Sequence, residues 1–134
     1  MSRVHRLDRE QHEMVSAALS RELALRDGVS FAYVFGSFLQ PDGFRDIDVA
    51  VWMTRADRHT DLDLAVALSQ VAGFPVDVRV ANKAPTAFLF HMFRGRLLVV
   101  NDERLLADLL ERTARLYHDQ APLVRRATRD AFAA

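Results

Sequence analysis

Eighteen basic and 18 acidic side chains cancel over 134 residues, so the chain has the length of one domain and no charge imbalance of the kind that marks a broad nucleic-acid footprint. It contains no cysteine, which excludes disulfides and thiolate zinc sites and fits a reducing cytoplasm. No apolar run approaches the roughly 18 residues of a membrane span, and Met1-Ser2-Arg3-Val4-His5-Arg6 lacks the apolar core of a secretion signal.

Asp8-Arg9-Glu10-Gln11 reads as a helix start, with Asp8 as N-cap and Gln11 at the capping-box position. Met14, Ala18 and Leu25, flanked by Val15 and Leu19, mark its apolar stripe, and Gly28 is its natural stop. Phe31 to Phe35 is a continuous apolar run, which suits a strand covered on both faces. Gly36-Ser37 ends it: glycine allows a sharp turn or a close approach, and Ser37 can cap a helical turn or donate to a phosphate oxygen. Pro41-Asp42-Gly43 is a turn by composition. Asp46 to Met53 reads as a second strand.

Thr60-Asp61-Leu62-Asp63 opens another helix with Leu64, Leu68 and Val71 as its buried face, and Gly73 closes it. Val76-Asp77-Val78-Arg79-Val80 alternates strictly and reads as a third strand. Pro85 suits the first position of a short helix carrying Phe88, Leu89, Met92 and Phe93, and Gly95 ends it. Leu97 to Val100 suits a short strand, and Asn101-Asp102 caps a helix with Leu105, Leu106, Leu109, Leu110 and Thr113 inward. Pro122 starts a last helix along Leu123, Val124, Ala127 and Ala131. Strands alternating with helices, with no repeat or linker, predict a single α/β domain over residues 1–134.

Three carboxylates stand out against this frame. Side chains alternate along a strand, so Asp46 and Asp48 share one face while Ile47, Val49 and Val51 take the other. Two like charges at the head of an apolar strand repel, and a hard divalent cation such as magnesium relieves the repulsion. Asp77 also opposes an apolar row, and on a neighbouring strand it would converge on the same point. Such an arrangement suits two-metal phosphoryl or nucleotidyl transfer. Arg79 shares the Asp77 face, and Lys83, the chain's one lysine, follows in the next turn. His12-Glu13 begins like a zinc-protease motif, but Ser16 stands where the second histidine would be.

Gly36-Ser37, Asp46-Ile47-Asp48 and the lone Asp77 resemble the signature of the polymerase-β-like nucleotidyltransferase superfamily. The likeness is nearest to its minimal members, the MNT antitoxins paired with HEPN-domain toxins. It extends through Val76 to Pro85, Gly95 to Val99 and the helix from Asp102 to Tyr117. The resemblance implies a small mixed twisted sheet flanked by helices. It implies that Asp46, Asp48 and Asp77 are catalytic and bind two magnesium ions, with Asp77 also helping to deprotonate the acceptor. Gly36 and Ser37 would cradle the nucleoside triphosphate, ATP being the usual donor, with Arg45 and Lys83 as further phosphate contacts. AMP would pass to a tyrosine hydroxyl of a cognate HEPN toxin, with no membrane and no direct nucleic-acid partner. A homodimer and a hetero-oligomer with the toxin are both compatible with the sequence.

The chain departs from that pattern in two places. Eight residues, Phe38 to Arg45, separate Ser37 from Asp46, a shorter stretch than the family usually has, and Arg45 replaces a small polar residue. Both bear on turnover and motivate an alternative, an antitoxin that neutralises its partner by binding alone. Transfer to a small molecule such as an aminoglycoside is a further alternative, although relatives of that kind usually carry an extra substrate-binding domain.

Overall fold

Seven consecutive buried residues, Val29–Phe35, form strand β1, and their alternating side chains feed two separate cores. The computed structural model describes residues 3–119. β1 lies inside a four-stranded sheet of order β3-β2-β1-β4, with β2 at Ile47–Met53, β3 at Val76–Val80 and β4 at Arg96–Val100. β1 pairs antiparallel with β2 and β4, whereas β2 and β3 run parallel. A parallel pair needs a crossover, here supplied by helix α2, Thr60–Ala72.

Helices cover both faces. Helix α1, Arg9–Ala24, and α2 pack on the side of Val34, Val49 and Val78. Helices α3, Thr86–Phe93, and α4, Glu103–Asp119, pack on the side of Phe31, Tyr33 and Ala50. Each large apolar side chain buried this way contributes roughly 1.5–3 kcal/mol, so both layers are needed to hold a sheet of four short strands.

The capping logic holds at α1: Asp8 accepts from the Gln11 N–H at 2.7 Å, and the Gln11 side chain accepts from the Asp8 N–H at 2.9 Å. Gly73 ends α2 in the left-handed region at φ 77°. Asp102 accepts from the Leu105 N–H at 3.0 Å at the head of α4. Pro85 stands one residue earlier than expected, as the N-cap of α3.

The helix faces are rotated from the expected stripes. Met14 and Leu25 are exposed, and α1 buries Val15, Ser16, Leu19 and Leu23 instead. α2 turns Ala72 rather than Val71 inward, and Leu110 of α4 faces out beside buried Leu106, Leu109 and Thr113. The expected helix from Pro122, with Leu123, Val124, Ala127 and Ala131, lies outside the described residues.

Candidate active site

β1 ends at Phe35, and Gly36 turns the chain into a short 3-10 helix, Gly36–Leu39. Gly36 has φ 80°, a region that costs an L side chain about 1–2 kcal/mol. Phe35 pairs with Asp48 across the ladder, and a Cβ on Gly36 would lie 2.7 Å from Asp48 Oδ2. Glycine is therefore needed twice, for the turn and for the carboxylate lying against it. Ser37 sits inside the 3-10 turn and is exposed; that turn has no side-chain cap, so the capping role is not the one it plays.

Asp48 is half-buried on β2 and pairs in register with Asp77 on β3. In-register residues of parallel strands project to the same face, so the two carboxylates are neighbours. Asp46 is not on the strand as expected: β2 begins at Ile47, and Asp46 is exposed at a bend just before it. The cause is local. Phe44 is held in a bridge to His5, and Ile47 is already donating to the Pro75 carbonyl at 2.9 Å, so the chain must bend between them.

Burial pushes the Asp48 pKa up, and the charges of Asp77 and Asp46 push it further, with Arg79 opposing. Asp77 is itself only 3.9 Å from the Arg79 Nε in a pair more than half exposed, which holds it weakly.

The candidate residues line two openings. Ser37, Arg45, Asp46 and Asp48 line a cavity of about 480 Å³ together with Arg6 and Asp42. Asp77, Arg79 and Lys83 line another of about 660 Å³ beside Asp57, Arg58 and Asp61. Asp48 on β2 lines the first and Asp77 on β3 the second. Lys83 is thus brought near Asp77 and not to the Ser37 side.

Sequence reasoning missed two residues here. Asn82 clamps β3 to the end of β2, donating to the Met53 carbonyl at 2.7 Å and accepting from the Met53 N–H at 2.9 Å. Its place two residues past the end of an alternating strand was the available signal. Arg6 offered none, because the bridge between His5 and Phe44 that brings it here spans residues with no shared pattern. Two histidines pack against aromatic rings: His5 lies against Phe74 at 4.9 Å and His12 against Phe38 at 4.6 Å.

Among the described residues no three metal-ligating side chains stand ready as a closed cluster. The donor chemistry still suits a hard divalent cation. Asp48, Asp77 and Asp46 are all carboxylates, and their mutual charge, felt at Asp48, is what such a cation would neutralise. Small hard cations keep several waters and use one or two carboxylates plus substrate phosphates, so a finished protein cage is not required. No helix among the described residues is long and apolar enough to cross a membrane.

Comparison with known proteins adds the rest. No curated protein matches the chain. Solved structures do. A structure of tri-AMPylated Shewanella oneidensis HEPN toxin in complex with MNT antitoxin contains a chain that matches at TM-score 0.61 and 21% identity, over 92% of this chain and 99% of that one. A toxin–antitoxin structure with AMP-PNP matches at TM-score 0.56 and 23% identity, over 96% and 100%. A third, of the toxin–antitoxin MntA-HepT, matches at TM-score 0.53 and 20% identity, over 95% and 100%. At these identities the likeness is one of fold. The model of the family described as polymerase beta, nucleotidyltransferase, matches residues 18–104, a stretch that runs from α1 into α4 and holds Gly36, Ser37 and all three aspartates. With that match laid over a sheet that sets Asp48 beside Asp77, the chain belongs to the polymerase beta nucleotidyltransferase family.

Proposed function

We propose that this chain is a magnesium-dependent nucleotidyltransferase that moves AMP from ATP to a tyrosine hydroxyl of a HEPN-domain toxin, and so acts as its antitoxin. The observation that carries the reading is the β2–β3 register, which sets Asp48 beside Asp77 while Gly36 lets the end of β1 lie against the Asp48 carboxylate. Nucleotidyl transfer follows from the family; the AMPylated toxin and the AMP-PNP in the similar structures support the donor and the acceptor.

Asp46, Asp48 and Asp77 would hold the magnesium ions. Bound magnesium would neutralise the triphosphate and favour charge build-up on the departing pyrophosphate. The chain's own groups do the positioning. Ser37, exposed on the cavity, donates to a phosphate oxygen, and Arg45, which lines the same cavity, donates to another. Lys83 reaches the phosphates or the acceptor only from the Asp77 side. The tyrosine oxygen bonds to the α-phosphorus as the bond from that phosphorus to the bridging oxygen breaks, and pyrophosphate leaves with the electron pair. Asp77 takes the hydroxyl proton.

The test incubates the protein with magnesium, ATP labelled on the α-phosphate and the proposed HEPN-domain toxin. Label should appear on the toxin and vanish with Asp48→Asn. Absence of label from a complex that demonstrably forms would defeat the enzymatic reading. One observation favours a second reading, neutralisation by binding alone: Asp77 stands 3.9 Å from the Arg79 Nε, which competes with a cation for it. A double variant, Asp48→Asn with Asp77→Asn, that still neutralises the toxin would establish it.

A further inference from the structure

Ahead of α1 the chain does something the transfer chemistry above does not use. Val4 to Leu7 runs as an extended strap across the Phe38–Arg45 loop and is pinned at both ends. At one end the His5 N–H donates to the Phe44 carbonyl at 2.7 Å and the Phe44 N–H donates to the His5 carbonyl at 3.0 Å. At the other, Asp8 is locked into the capping box of α1.

Between these pins the side chains alternate as they do in any extended segment. His5 turns inward onto Phe44 at 5.6 Å and Phe74 at 4.9 Å, and Leu7 packs on the main core. Val4 and Arg6 are therefore sent the other way, where both are exposed and line the cavity of about 480 Å³ with Ser37, Asp46 and Asp48. The loop is shaped to receive the strap. A Cβ on Gly43 would lie 2.8 Å from Val4 Cγ1 and 2.9 Å from the His5 carbonyl oxygen, so no larger residue fits beneath it.

We propose that Arg6 is a phosphate-binding residue of the nucleotide site, delivered by this strap to the cavity it shares with Ser37, Asp46 and Asp48. The inference rests on the nucleotidyltransferase reading above. Neither Arg6 nor Arg45 has an ion-pair partner among the described residues, although Asp42, Asp46 and Asp48 share their cavity. Carboxylates and two unpaired guanidinium groups lining one cavity match a metal-bound polyphosphate, whose cation and anionic oxygens need opposite partners. An arginine fork donates to two phosphate oxygens at once. Because both ends of the strap are fixed, little chain freedom is lost when Arg6 engages.

The measurement is the affinity of the full chain for AMP-PNP with magnesium, beside its affinity for adenosine followed by ligand-observed NMR. Arg6→Gln should weaken AMP-PNP about tenfold, the usual scale for losing a hydrogen bond to a charged group. Arg6→Lys should recover part of that loss. Adenosine affinity should be unchanged, as should the melting temperature, since the Arg6 side chain is exposed. AMP-PNP binding indifferent to Arg6→Gln overturns the inference alone, as does an equal loss of adenosine. No AMP-PNP binding by the unsubstituted protein overturns the inference and the nucleotide reading together.

Discussion

Gly36→Ala separates two things glycine does at the end of β1, and Gly73→Ala supplies the comparison. Both glycines have similar positive φ, 80° and 77°, so alanine incurs the same backbone penalty of about 1–2 kcal/mol at each. Their surroundings differ. A Cβ at Gly73 meets nothing within 4 Å, whereas at Gly36 it would stand 2.7 Å from Asp48 Oδ2. An ordinary contact is about 3.5 Å, so the Asp48 carboxylate must withdraw by roughly 0.8 Å. Both variants should lose roughly 4–8 °C in melting temperature. Only Gly36→Ala should also lose AMP transfer, by about a hundredfold, since an ångström of misplacement in a positioned group has that scale. Calorimetry and the labelled-ATP assay read the two effects separately. If the two variants lose activity equally, the close approach of Gly36 is not what seats Asp48, and the geometric argument fails.

Asp48→Asn should stabilise the fold at neutral pH while ending transfer. The native state raises the Asp48 pKa above its ordinary 3.8, through burial and then the charges of Asp77 and Asp46, so it binds that proton more tightly than the unfolded chain does. Stability therefore falls as pH climbs past the unfolded value, and the whole penalty is present above the folded one. The variant should melt higher than the parent at pH 7, with the difference closing as the solution is acidified below 3.8; a lower melting point at pH 7 would contradict this. Asn82→Ala removes both hydrogen bonds to Met53 and should lower stability by about 2 kcal/mol in urea unfolding, with slope unchanged. Asp8→Ala breaks the capping box of α1 and should lower it by about 1 kcal/mol in the same measurement.

The strands were legible because their residues leave few alternatives. Val76–Val80 alternates over its whole length, and a short run as apolar as Phe31 to Phe35 suits a strand with two covered faces. The same alternation made Asp48 and Asp77 visible. Helix faces were harder, since apolar residues stand side by side: Met14 beside Val15, Leu109 beside Leu110, Val71 beside Ala72. Periodicity gives the spacing of a stripe but not its rotation, which the sheet decides on docking. Asp46 was misplaced for a related reason. Strand pattern ran smoothly through it, and only the pairing of Phe44 with His5 forces the bend. Arg6 is the extreme case, distant in sequence and joined to the site by two backbone hydrogen bonds that no side-chain pattern records.

The position of β3 at the rim of the sheet sets how the protein would lose competence under stress. Among the described residues β3 pairs with a neighbour on one side only, and Asp77 rides on it, whereas Asp48 rides on a strand paired on both sides. Rim strands open at lower free energy than the interior does. Amide protons of Val76–Val80 should then exchange sooner than those of Val29–Phe35. A mild denaturant would silence the chemistry by peeling β3, opening the core it shares with Val34 and Val49 while the core of Phe31, Tyr33 and Ala50 stays closed. Catalytic readiness and foldedness are therefore two different thresholds in this chain, and Asn82, which ties the far end of β3 to Met53, sets the gap between them.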